Sequence, residues 1–130
     1  MTVDAAPARC QAQTPTSCTA HTRAYRDGAL AEEGFPVEQI SDLLAEPDTV
    51  VWLDLAQPTH ADLAVVTEEL SLHELAVEDA VNEHQRPKLD VYGEALFLSA
   101  YVARLDETTG ELSVSEVAAF ITPRALVTVR

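Results

Sequence analysis

The sequence predicts a single α/β domain of the α+β type, a mixed β-sheet flanked by helices in the order β-α-β-α-α-β-β-β. Three observations predict it. Apolar residues recur at three- and four-residue spacing in three separate stretches between positions 36 and 85, the signature of helices with one buried face. Runs rich in β-branched and aromatic residues occupy 49–55, 89–92, 95–105, 112–122 and 125–129, as strands require. Proline or glycine punctuates nearly every junction between them.

A chain of 130 residues is one small domain. It can bury about 65–70% of its unfolded surface and so hold a core unaided. Residues 1–22 are rich in Ala, Pro, Thr and Gln and poor in large apolar side chains, too poor to offset the entropy of ordering. They read as a disordered tail preceding a folded unit at 23–130. Residues 21–28, at the junction of the two, read as a short edge strand.

Pro36 suits the first position of a helix, and Val37, Ile40, Leu43 and Leu44 supply its stripe until Pro47 stops it. The run 49–55, with Trp52 at its centre, is continuously apolar apart from Asp54 and predicts a strand covered on both sides. Thr59 caps the next helix, whose stripe is Leu63, Val66 and Leu70. Ser71 and Glu74 stand at capping-box spacing, with Leu70 and Leu75 placed as a hydrophobic staple, so a third helix is expected from about Leu72 to His84 or Gln85. Pro87 then turns the chain into strands. Gly93-Glu94 interrupts the strand region, 106–111 forms a hairpin loop around Gly110, and Pro123-Arg124 makes the last turn.

The formal charge is −14, and after residue 30 twenty acids face only five Lys or Arg. Nucleic acid and anionic membrane both reward positive charge, so neither is an expected partner. No run of eighteen apolar residues occurs, and a membrane-spanning helix is not expected. Cys10 and Cys18 make neither a disulfide framework nor a four-ligand zinc site. His73-Glu74 opens like a zinc-protease helix, but position 77 is Val where a second His is required. No nucleophile, base and oxyanion set can be assembled, and an enzyme is not expected.

The acids of the third helix fall on its edges. Glu74 with Glu78 and Asp79 with Glu83 are like-charge pairs at four-residue spacing, each costing a few tenths of a kcal/mol unless compensated. Arg86 and Lys88 follow and are placed to pair with Asp90, Glu83 or a neighbouring subunit. On spacing alone, a solvated acidic face is the leading reading.

A resemblance reverses that order. Leu75–Asp79 (LAVED), then Gln85-Arg86-Pro87-Lys88-Leu89-Asp90, then Tyr92-Gly93 and an apolar strand, resemble the amino-terminal cytosolic domain of CorA-type magnesium transporters. Trp52-Leu53-Asp54-Leu55 and the closing Leu126-Val127-Thr128-Val129-Arg130 fit the same pattern, so the resemblance runs from about residue 49 to 130. It implies a cytosolic regulatory domain on the inner side of the cell membrane, sitting in a pentamer with its own kind. In the family, acidic residues at this point help bind regulatory divalent cations between subunits, with partner carboxylates from a later helix. Carried over, Asp79 and Glu78 are the expected contacts of a low-affinity half-site for Mg2+, with Co2+ or Zn2+ able to take its place. The pore signature Gly-Met-Asn is absent, so this chain is not expected to conduct ions by itself. Two alternatives stay open: the cytosolic domain of a zinc- or cobalt-transporting relative, and a free-standing acidic module that binds a basic protein.

Overall fold

A computed structural model describes the backbone of Ala8–Arg9 and residues 19–82 and 86–130. Eight strands form one sheet in the order β1-β2-β4-β8-β7-β6-β5, with β3 added beside β2. They are β1 (Ala8–Arg9), β2 (Thr19–Arg26), β3 (Ala29–Glu33), β4 (Thr49–Ala56), β5 (Lys88–Tyr92), β6 (Ala95–Leu105), β7 (Leu112–Ile121) and β8 (Ala125–Val129). All pairings are antiparallel except β4 with β8, which makes the sheet mixed as expected.

The strand at the amino end is not an edge. β2 lies between β4 and the short β1 and β3, pairing with β4 from Thr19↔Ala56 to Arg26↔Thr49. It begins at Thr19, so 19–22 belong to the sheet rather than to the tail. The remaining tail positions, apart from Ala8–Arg9, lie outside the described residues. β3 is an addition that composition did not suggest, since ALAEE contains no β-branched or aromatic residue.

β4 buries alternate side chains only. Thr49, Val51, Leu53 and Leu55 are buried, whereas Val50 and Trp52 are 45% and 38% exposed. The expectation of cover on both sides is therefore corrected: a continuous apolar run here serves a sheet with helices against one face. That inner face presents Ala20, Ala24, Leu53, Phe97, Phe120 and Val127 to one cluster shared with Ile40, Leu63, Val66 and Ala76 of the helices. Phe97 and Phe120 pack with ring centroids 5.2 Å apart at its centre.

The first helical segment is a 3-10 turn, Val37–Gln39, leading into α1 (Ile40–Leu44). Pro36 precedes it in extended geometry rather than occupying its first turn. α2 (His60–Leu70) opens with a complete capping box. The Asp62 carboxylate accepts from the Thr59 amide at 2.8 Å and from its hydroxyl at 2.9 Å, while the Asp62 amide donates back to Thr59 Oγ1 at 3.2 Å. At the other end Arg124 ties β8 to β4 by donating to the carbonyls of Thr49 and Glu46 at 3.1 and 2.6 Å.

Candidate metal-binding face

The candidate face is built on α3 (Glu74–Val81), and its start differs from the expectation. Ser71 does not cap α3. It adopts the left-handed conformation, φ 55°, that ends α2. With only residues 71–73 between the helices, one residue cannot both close the first and open the second. His73 takes the capping role: its Nδ1 accepts from the Leu75 amide at 3.1 Å, and its ring packs on Tyr92 with centroids 4.6 Å apart. Leu75, placed by its spacing to staple onto Leu70, is 56% exposed.

α3 also ends earlier than expected. Asn82 is extended, φ −77° and ψ 129°, so the helix stops at Val81. Glu83, His84 and Gln85, where the sequence placed its end, lie outside the described residues. Leu72 and Ala76 are buried and Val77, Ala80 and Val81 half-buried, an apolar sector narrower than predicted because Leu75 leaves it.

Glu74 and Glu78 point to solvent as predicted. Asp79 is half-buried and engaged: Lys88 Nζ donates to its Oδ2 at 2.6 Å. The same ammonium lies 3.1 Å from Asp90 Oδ2. Lys88 thus sits between one carboxylate on α3 and one on β5, and those contacts, Asp79 first and Asp90 second, hold its ammonium above the usual lysine pKa. The Lys88–Asp90 pair was legible in the sequence. The Lys88–Asp79 pair joins residues nine positions apart around a corner, and no local spacing signals it.

Chemically, α3 offers two open carboxylates, Glu74 and Glu78, and one shared with an ammonium, Asp79. Among the described residues no three His, Cys, Asp or Glu side chains converge on a single metal position. Glu78 and Asp79 stand side by side on α3 with no third such ligand beside them among the described residues. Beside them a groove of ≈ 500 Å³ runs between the end of α3 and the sheet, lined by Asp79, Asn82, Ser99, Ala118 and Arg130 among others.

A mixed sheet with helices on one face and an acidic last helix is an α+β architecture. Its sequence matches the family model of the CorA-like Mg2+ transporter protein over residues 47–130, and the chain belongs to that family. No curated protein matches it in sequence. Among solved structures it is similar to the complete CorA magnesium transporter from Methanocaldococcus jannaschii, with 12% identity over 85% of this chain and 31% of that one, TM-score 0.60. It is similar to the full-length CmaX protein, with 20% identity, 85% and 33% coverage and TM-score 0.65. The soluble domain of CorA from Methanocaldococcus jannaschii matches with 11% identity, 89% and 42% coverage and TM-score 0.59. These likenesses show the fold, and this chain spans about a third of the two full-length proteins. No described helix is long and apolar enough to cross a membrane.

Proposed function

We propose that this chain is the cytosolic regulatory part of a divalent-cation transporter, with α3 facing a neighbouring subunit across a regulatory Mg2+ site. The observation that carries the reading is Glu78 and Asp79 on α3, the first in solvent and the second half-buried at its edge, inside the segment that matches the family model. Magnesium takes oxygen ligands and keeps most of its waters, so one or two carboxylates per subunit suffice when a neighbour supplies the rest. Lys88 makes the half-site weak by itself, because an arriving cation must share Asp79 with an ammonium already bound to it.

Weak binding to one subunit suits a gate. A cation that bridges two subunits favours the arrangement in which they are close, by no more than its differential affinity for that arrangement. When the cation leaves, the acidic faces repel and the assembly, a pentamer by family analogy, relaxes towards the open pore. Co2+ or Zn2+ would occupy the same oxygen set in a zinc- or cobalt-transporting relative.

The test is an amide-resolved NMR titration of the chain with magnesium chloride against sodium chloride of equal ionic strength. Amides of 75–82 are expected to shift with millimolar half-saturation, and Glu78→Gln with Asp79→Asn to abolish the shift. Resonances that stay in place, or that move equally in the double variant, would remove these residues from the cation site.

A further inference from the structure

The β6–β7 hairpin outruns its sheet. The two strands pair from Leu96↔Ile121 to Leu105↔Leu112, but β5 accompanies β6 only as far as Ser99 and β8 accompanies β7 only from Ala118. Residues 101–105 and 112–115 thus form a ribbon with no lateral strand among the described residues, every one of them exposed. Two-stranded ribbons are marginal in water on their own. This one is also two-sided in composition. The side continuing that of Phe97 and Ser99 carries Tyr101, Ala103, Leu105, Leu112 and Val114, with Leu105, Leu112 and Val114 at 59%, 65% and 55% exposure, and Glu116 opposite Tyr101 at its foot. The other side carries Val102, Arg104, Ser113 and Ser115. Alternation of apolar and polar residues is what a strand shows when one side is covered. The helices that cover the same side of the sheet do not extend over the ribbon.

We propose that this ribbon docks an amphipathic helix whose apolar stripe is flanked by Lys or Arg. A strand pair with its side chains is about 10 Å wide and these rungs run about 15 Å, which matches one helix of about 10 Å diameter over roughly three turns. The charge of the occupant follows from its surroundings. Asp106, Glu107 and Glu111 stand at the ribbon's tip, Asp79 and Glu116 line the groove at its foot beside α3, and the chain as a whole carries −14. Without a cation to bridge them, a second copy of the chain would bring the same acids and be repelled. Apolar anchors in a shallow groove with complementary charge at the rim are the usual means of binding such a helix.

The experiment uses the full chain and a fluorescein-labelled Leu/Lys peptide with a helical apolar stripe, read by fluorescence anisotropy at physiological salt. A scrambled Leu/Lys peptide of equal charge serves as the comparison. Binding of the striped peptide is expected, with at least about a tenfold loss in Leu105→Ser/Val114→Ser and in Leu112→Ser alone, and none in Val102→Ser on the opposite side. All four positions are exposed, and circular dichroism checks that each variant stays folded. Equal binding by all variants, or equal binding of the scrambled peptide, would reduce the effect to charge attraction and overturn the proposal. So would absence of binding. A dimer in sedimentation that the Leu105→Ser/Val114→Ser variant dissolves would assign the ribbon to a second copy instead.

Discussion

Replacing Asp62 by Ala tests how α2 is held. The Asp62 side chain is 1% exposed and accepts two hydrogen bonds from Thr59, at 2.8 Å from the amide and 2.9 Å from the hydroxyl. Ala removes Oδ2, which accepts both bonds, and takes from the cap amide this partner, a loss of about 1–2 kcal/mol by analogy with N-cap deletions. A carboxylate in the first turn also faces the positive end of the helix dipole, adding about 0.3–1 kcal/mol. Together the change should cost about 2 kcal/mol, or about 7 °C in Tm for a domain of this size. Urea unfolding followed by circular dichroism gives the free energy directly, and Asp62→Asn, which keeps an acceptor, should recover part of it. A difference below about 0.5 kcal/mol between Asp62→Ala and the parent would mean that packing of Leu63 and Val66 alone fixes the helix start, and the capping argument would fail.

Two further outcomes follow from the core and from Lys88. Phe97 is fully buried against Phe120, so Phe97→Ala should cost about 3–5 kcal/mol, a large part of the stability of a domain this size, and be visible as loss of the cooperative urea transition or a strongly lowered midpoint. Contact with Asp79 and then Asp90 raises the folded-state pKa of Lys88, so the stability it contributes is complete below the ordinary lysine range and is lost as pH rises through the raised value. Lys88→Met should flatten the alkaline limb of a stability-against-pH curve, and a parallel curve for the two proteins would refute the role of this ammonium.

Much of the architecture was legible because local signals and tertiary demands agreed. Thr59 at the head of α2, the glycine-containing loop between β6 and β7 and the run at Ala125–Val129 each carry their own geometry in a few residues. Other features depended on which neighbour arrived. β2 has the same sequence whether it is an edge or an inner strand, and only its pairing with β4 on one side and β1 and β3 on the other decides it. β3 has weak strand propensity and exists because the turn at Asp27-Gly28 folds it back on β2. Ser71 illustrates competition between two valid signals: a capping box was available, but ending α2 in the left-handed conformation won. Of the candidate face, the exposure of Glu78 followed from helical spacing. The capture of Asp79 by Lys88 did not, since it needs the path of the corner between α3 and β5.

The position of β8 bears on how the molecule is made. Ala125–Val129 inserts between β4 and β7, pairing in parallel with a strand whose partner residues lie about seventy positions earlier, from Val51↔Ala125 to Leu55↔Val129. During synthesis β4 and β7 leave the ribosome with their adjoining edges bare, and only the arrival of these five residues joins the two halves. Until then the nascent polypeptide exposes two unpaired strand borders, the kind of edge on which chains stick to one another.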